Sequence, residues 1–121
     1  MLRKYDNGFR KLIIWQESKK LMHKVYVLTK TLPPDEQFSL ISQLRRAAVS
    51  VCANIAEGSA MQTEAHRKSY FMRARGSVAE LDCLMEICHD LGFITESSAS
   101  DVTDHCARES YLLTNTIRSM Q

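Results

Sequence analysis

Proline and glycine are scarce in this chain of 121 residues, which contains two prolines and four glycines. Turn-rich β structure needs both residue types at its many bends, so their scarcity favours long helices. No stretch alternates apolar and polar residues for long enough to predict a strand. The length suits one domain with its own hydrophobic core and is too short for two. We therefore predict a single all-α domain over residues 1–121.

The chain also lacks a long apolar segment, a strong net charge and a cysteine motif. No apolar run approaches the roughly 20 residues that span a bilayer, and the polar N-terminus does not resemble a signal peptide. The net charge is +2, with +5 over residues 1–60 and −3 over residues 61–121. A dedicated nucleic-acid-binding domain is usually more basic. Without a Cys-x-x-Cys spacing, we predict reduced core or interface thiols in a cytoplasmic protein with no membrane partner. These thiols are Cys52, Cys83, Cys88 and Cys106.

Apolar residues recur at spacings of three and four in four segments, which predicts four amphipathic helices. The first three cover about residues 12–32, 40–56 and 63–91. The fourth begins near Ser97 or Ser98 and has the weakest periodicity. Four helices with short connections predict an antiparallel up-down-up-down four-helix bundle.

Proline, serine and glycine mark the expected helix ends. Pro33-Pro34 should stop the first helix, and Ser39 should cap the second. Gly58 and Gly92 should end the second and third helices as C′ residues. Gly76, by contrast, lies in mid-helix, where glycine costs about 1 kcal/mol relative to alanine. The close approach of a neighbouring helix would justify that cost.

The second predicted helix carries a stripe of polar residues. Arg46, Ser50, Asn54 and Glu57 are spaced by four, four and three, so they share one face. Serine and asparagine are poor helix formers without a local partner, so the stripe indicates a packed polar seam. We predict a structural network that fixes helix register or subunit contacts. Its predicted members are Arg46, Ser50, Asn54, Glu57, Ser77 and Glu80.

Basic side chains cluster on the first and third predicted helices. They can form a solvated face, or, repeated around an oligomer, they can bind phosphates weakly through multivalency. Arg45 and Arg46 project about 100° apart, so either one reaches phosphate while the other anchors the fold, or both form ion pairs within the bundle or between subunits. No aromatic residues interleave with these positions, so any RNA or DNA contact should be independent of sequence. The candidate nucleic-acid-binding residues are Lys19, Lys20, Lys24, Arg45, Arg67, Lys68, Arg73 and Arg75.

No catalytic or metal-binding pattern is complete. Glu57 and Glu80 could act as an acid–base pair, but no histidine shares their stripes. Glu86 and His89 match the Glu-x-x-His of di-iron bundles, whose second copy and further glutamates are missing. His105 has two aspartates nearby but no partner set on another helix. We predict no catalytic residue, cofactor, metal or small-molecule substrate, and a metal-dependent helical enzyme is a distant alternative.

Short motifs follow one another along nearly the whole chain. They are Ile13-Ile14-Trp15-Gln16, Pro33 to Phe38, Gln43 to Ser50, Asn54 to Gly58, Gly76 to Leu81 and Leu91 to Ile94. In this order they resemble the four-helix-bundle proteins encoded by intervening sequences in bacterial 23S ribosomal RNA genes. Cys52 and Ser39 depart from the pattern, which commonly has proline and glycine there. Because Cys52 keeps its backbone N–H, the second helix is expected to be straighter than in relatives.

The resemblance implies a left-handed antiparallel bundle that assembles into a ring-shaped homopentamer without an established activity. A similar bundle serves as a nucleic-acid-binding accessory factor to retroelement reverse transcriptases. The function expected from the sequence is that of a non-enzymatic cytoplasmic protein that self-assembles, with weak nucleic-acid or protein-partner binding. The alternative is a dedicated nucleic-acid-binding accessory factor associated with such intervening sequences or retroelements.

Overall fold

Four α-helices make up the computed structural model, which describes residues 8–120. They are α1 (Ile13–Thr29), α2 (Leu40–Ala60), α3 (Glu64–Asp90) and α4 (Glu96–Arg118). Single 3₁₀ turns lie before α1 at Phe9–Lys11 and between α1 and α2 at Pro34–Glu36. The described part of the chain contains no strand. The predicted all-α class is confirmed.

Each helix packs against its neighbours in the chain, and α4 closes the bundle by packing against α1. Within residues 8–120, no Cα atom of α1 comes within 8 Å of α3, and the same holds for α2 and α4. These two pairs are therefore diagonal. Short connections oblige consecutive helices to run antiparallel. The structure confirms the predicted up-down-up-down bundle.

Large apolar side chains from all four helices fill the centre of the bundle. Fully buried examples are Leu21, Leu44, Ile55, Leu81, Met85 and Leu113. Burying one such side chain contributes about 1.5–3 kcal/mol to folding. Leu91 lies at the predicted end of the third helix but is 57% exposed, and α3 ends one residue earlier, at Asp90.

Gly58 does not end α2, contrary to the prediction, and the helix continues to Ala60. Gly58 is buried where the end of α2 meets the start of α3. A Cβ atom at this position would lie 2.8 Å from Cε1 of Phe71 and 3.0 Å from Cβ of Tyr70. The glycine is therefore needed because it lets the two helices approach closely, and not because of its backbone conformation.

Gly92 ends α3 as predicted. Its φ is 77°, a left-handed conformation that favours glycine. The Gly92 N–H donates to the His89 carbonyl at 2.9 Å, and the Phe93 N–H donates to the Cys88 carbonyl at 3.0 Å. These two bonds form a Schellman motif.

Three other helix ends differ from the prediction in detail. Ser39 occupies the N-cap of α2, but its hydroxyl lies 2.6 Å from a Glu36 carboxylate oxygen, to which it donates, and caps no helix N–H. Thr95 caps α4 in place of the serines that follow it, because its Oγ1 accepts the Ser98 N–H at 3.1 Å. The first helix ends four residues before the first proline.

None of the helices within residues 8–120 combines the length and the apolar character needed to cross a membrane. All four cysteines are free thiols. Cys88 and Cys106 lie in the core, and Cys52 is half-buried. Cys83 is exposed on α3 and does not lie in the core of the chain. A place for it in a subunit interface stays a prediction.

Candidate functional site

Part of the predicted polar network forms between α2 and α3. The Ser50 and Ser77 hydroxyl oxygens lie 2.9 Å apart across the two helices. The Asn54 side-chain amide donates to the Ser50 carbonyl at 2.9 Å and to the Ser50 hydroxyl at 3.0 Å. All three side chains are half-buried. The contact explains how serine and asparagine are accommodated within helices, because their polar groups are satisfied there.

The other three predicted members of the network point to the surface of the chain. Arg46, Glu57 and Glu80 are exposed. Arg46 donates to Ser42 on its own helix at 3.2 Å. Within residues 8–120 no hydrogen bond or ion pair joins Glu57 to Glu80 or to Arg46. Their participation in a network therefore requires a partner outside the single chain, and it stays a prediction.

We expect Glu57→Ala to lower the free energy of unfolding of the isolated chain by less than about 1 kcal/mol, because exposed charges contribute little. Urea denaturation at low protein concentration measures this change. Glu64→Ala, at another exposed glutamate, is the control. A loss of 3 kcal/mol or more would mean that Glu57 is buried against a partner.

A cluster of charged side chains, which the sequence analysis did not predict, lies between α1 and α4. Glu17 of α1 is buried, and its carboxylate lies 3.3 Å from His105 Nε2 and 3.4 Å from Arg108 Nε, both on α4. Lys20, one turn further along α1, donates to the same carboxylate at 3.0 Å. The hydrogen bond from Lys20, together with the surrounding positive charges, lowers the pKa of Glu17.

Glu109 of α4 is the most deeply buried ionisable group next to this cluster. Its side chain is 0% exposed, and neither carboxyl oxygen has a hydrogen-bond partner among the described residues. Burial raises its pKa to about 8, and the negative charge of Glu17 adds to the effect. Burial also lowers the pKa of His105. At neutral pH this part of the bundle therefore contains a protonated Glu109 and a neutral His105.

On α2, Cys52 lies beside the same buried region. The Ser18 hydroxyl of α1 donates to the Cys52 sulfur at 3.3 Å. Burial raises the pKa of the Cys52 thiol, and the carboxyl of Glu109 contributes in the same direction. Proline at position 52 would not offer this thiol, so the departure from the family pattern adds a polar contact between α1 and α2.

A surface cleft of about 310 Å³ reaches Glu17 and His105, and charged side chains surround it. Glu109, the protonated acid, is not among the residues that line this cleft. No group of three or more His, Cys, Asp or Glu side chains in residues 8–120 is arranged to hold a metal ion. The buried acid of this cluster, Glu109, is enclosed by the bundle and does not reach the cleft.

Most of the predicted nucleic-acid-binding residues make contacts within the chain. Five of the eight hydrogen bond to other side chains or carbonyls. The partners are Glu17 for Lys20, Asp101 for Lys24, Thr29 for Arg45, the carbonyls of Met61 and Gln62 for Arg67, and Thr114 for Arg75. Lys19 and Arg73 lie over the rings of Trp15 and Tyr70. Lys68 is half-buried.

The two basic clusters do not form one surface. Lys19, Lys20 and Lys24 belong to α1, while Arg67 and Lys68 begin α3. Because α1 and α3 are diagonal in the bundle, the clusters face away from each other. One nucleic-acid strand in a short contact can reach only one of them on a given chain.

Aromatic rings interleave with the cations near the start of α1, contrary to the prediction. Phe9 and Trp15 meet edge to face, with their ring centroids 4.9 Å apart. Arg10 lies 4.5 Å from the centre of the Phe9 ring, and Lys19 lies 5.4 Å from the centre of the Trp15 ring. The helical spacing of Trp15 and Lys19 could have indicated the second contact. The first depends on a turn that the sequence pattern did not predict.

The periodicity of the fourth helix contained a signal for Glu109. Val102, Cys106, Leu113 and Ile117 are buried at core positions of α4. Glu109 fills the gap between Cys106 and Leu113 that weakened the apolar pattern. Because a glutamate interrupts an apolar pattern, the pattern alone did not predict that Glu109 is buried. The helical spacing of Glu109 from Cys106 and Leu113 was the signal.

Comparisons with known proteins agree with the fold. The family model described as 23S rRNA-intervening sequence protein matches residues 10–115. The chain is similar to the crystal structure of a protein with unknown function from the S23 ribosomal protein family of Bacteroides thetaiotaomicron. The identity is 20%, the TM-score is 0.82, and the similarity covers 88% of this chain and 99% of the other. No match was found among curated protein sequences. Neither description names an enzymatic activity. Because the family model spans most of the chain, the protein belongs to the 23S rRNA-intervening sequence protein family.

Proposed function

We propose that the protein is a non-enzymatic cytoplasmic bundle that assembles into a closed homo-oligomer through the outer face of α2 and α3. Gly76 is the observation that carries this proposal. It is exposed in the middle of α3, and a Cβ atom there would meet nothing within 4 Å. Glycine costs about 1 kcal/mol in a helix. The contacts within the chain give no reason for that cost, whereas close approach of a second copy does.

Small and apolar residues surround Gly76 on this α2–α3 outer face. Ala53 and Ala79 are exposed, and Val49 is 42% exposed. Small residues allow the backbones of two helices to approach, and apolar residues gain free energy when a partner covers them. The composition of the face therefore favours a helical partner.

Charges on the α2–α3 outer face are of both signs. Ser50 and Ser77 meet across the antiparallel helices, so Arg46 and Glu80 extend from that contact toward one end of the bundle. Glu57 and Arg73 extend toward the other end. A face with both signs can pair with charges of both signs on another copy, so we choose a second copy as its occupant, and in a closed ring each copy presents this face to a different face of its neighbour. A ring of five is the number that the family resemblance implies.

The test is the mass of the protein in solution. We expect light scattering at micromolar concentration to give a multiple of the 13.8 kDa chain, fivefold for a pentamer. Ala79→Trp, on the α2–α3 outer face, should shift the mass toward the monomer because the larger side chain separates the helices. Ala107→Trp, at an exposed alanine of α4, is the matched control and should leave the mass unchanged.

Two results would contradict this proposal. A wild-type mass of 13.8 kDa at micromolar concentration would exclude a stable oligomer. An oligomer that survives Ala79→Trp and dissociates with Ala107→Trp would move the interface to α4. Circular dichroism of each variant shows that the helices remain folded.

A second candidate function, that of a nucleic-acid-binding accessory factor, is favoured by the cations and aromatic rings around α1. Lys20 is 67% exposed, so its ammonium group can contact a phosphate from the solvent side. Binding of this kind would weaken steeply as salt rises, because it releases counterions.

A further inference from the structure

We infer that the cleft at the start of α1 is a binding site for single-stranded nucleic acid, in which nucleobases stack on Phe9 and Trp15. The inference rests on the second candidate function and names its site. The cleft has a volume of about 690 Å³, within the range of small-ligand sites. Its lining combines both aromatic rings with Arg10, Lys19, Lys20 and His23.

The stacking surface is held in place before any ligand binds. Phe9 lies in the turn before α1 and Trp15 in the first turn of the helix. The Gln16 amide donates to the Arg10 carbonyl at 3.0 Å, which ties that turn to the helix. The rings meet edge to face at 4.9 Å, so binding requires little ordering of their side chains.

A nucleobase can replace the cations that lie over the Phe9 and Trp15 rings, and the exchange is favourable. A nucleobase stacked on an aromatic side chain gains more free energy than a cation over an exposed aromatic ring does. A base that replaces Lys19 over Trp15 also frees the ammonium group to contact a phosphate. The same cleft therefore supplies a stacking platform and cations for the backbone.

A single strand fits this arrangement better than a duplex does. The bases of a duplex are stacked on each other, and their faces are closed to aromatic side chains. An unpaired strand presents base faces and phosphates together, which is the combination that this cleft can bind. When Arg10, Lys19 and Lys20 each contact a phosphate, a plot of the logarithm of the association constant against the logarithm of the salt concentration should have a slope of about −2. That slope predicts about fifteenfold weaker binding at 200 mM than at 50 mM salt.

Trp15 is the one tryptophan of the chain, so its fluorescence reports directly on the cleft. We expect a single-stranded 12-nucleotide RNA or DNA to quench this fluorescence and to bind with the same midpoint in an anisotropy titration. A strand of the same length without bases should bind more weakly and should not quench. Lys19→Glu with Lys20→Glu should weaken binding at least tenfold.

The control variant combines Lys30→Glu with Gln37→Glu and Gln43→Glu, which changes the net charge by the same amount at exposed positions away from the cleft. It should weaken binding less than threefold. Binding without quenching would overturn the site and leave the second candidate function standing. Equal quenching by the strand without bases or by polyglutamate would overturn stacking and indicate a general polyanion site. No binding at 50 mM salt would overturn both the site and the nucleic-acid function.

Discussion

Glu109→Gln is expected to stabilise the protein at alkaline pH and to leave its stability almost unchanged at pH 5. The folded protein binds the Glu109 proton more tightly than the unfolded chain, because the pKa rises from 4.5 to about 8. The contribution of this proton to the free energy of unfolding is therefore fully present below pH 4.5 and is lost as the pH rises to about 8. Glutamine has nearly the shape of the protonated acid but does not ionise, so the variant should not lose this stability.

The expected size of the effect is large for a domain of this length. At about 1.36 kcal/mol for each pKa unit, the rise to about 8 corresponds to roughly 4–5 kcal/mol between pH 4.5 and pH 9. The net stability of a domain is about 5–15 kcal/mol. Ionisation of one buried carboxyl therefore removes a major share of it.

Other groups near Glu109 also titrate, so the difference between variant and wild type is the informative quantity. The pKa of His105 is lowered, so its effect on stability changes with pH in the opposite direction. Its contribution to the free energy of unfolding falls as the pH drops below 6.5. Urea denaturation of both proteins at pH 5, 7 and 9 gives that difference. Glu86→Gln, at an exposed glutamate of α3, is the control and should show no pH-dependent difference. A Glu109→Gln difference that does not grow with pH would mean that Glu109 is already ionised in the folded protein.

Gly58→Val is expected to lower the free energy of unfolding by about 3 kcal/mol or more. Even a Cβ atom would lie 2.8 Å from the Phe71 ring, and valine adds two further methyl groups. Overpacking of this kind costs about 1–3 kcal/mol, and the β-branched side chain has little freedom to avoid the ring. Because the Cβ atom of Tyr70 also lies 3.0 Å away, we expect α2 and α3 to separate to make room.

Ala60→Val is the matched control, because Ala60 is exposed in the same last turn of α2. Its effect should stay within about 0.5 kcal/mol. The measurement is the urea midpoint and slope for both variants at one pH. An unchanged midpoint for Gly58→Val would show that Phe71 can rotate away at no cost, and the close approach of the helices would then not require glycine.

The sequence predicted the bundle because apolar periodicity depends on burial, and burial decides the positions of helices. The third helix over about residues 63–91 and its stop at Gly92 were both correct. The prediction for Gly58 was wrong because glycine has two uses, a left-handed conformation or close packing, and composition does not distinguish them. Its use became visible only with Phe71 placed against it.

The candidate site was less predictable than the fold, since it depends on pairs that are distant in sequence. Ser50 and Ser77 could be assigned to neighbouring stripes from their spacing alone. The approach of Glu17 to His105 could not, because it requires the register between α1 and α4. Phe9 was missed for another reason, since a single 3₁₀ turn has no periodicity to detect.

Cys83 gives the protein a natural attachment point for a spectroscopic probe. Its thiol is exposed on α3, while burial raises the pKa values of Cys52, Cys88 and Cys106, which keeps them protonated and unreactive. A thiol-directed label would therefore modify one position of the unaltered chain. That position follows Ala79 by one helical turn, beside the α2–α3 outer face. Distances between labels on the copies of the proposed oligomer would then report its geometry without any substitution in the sequence.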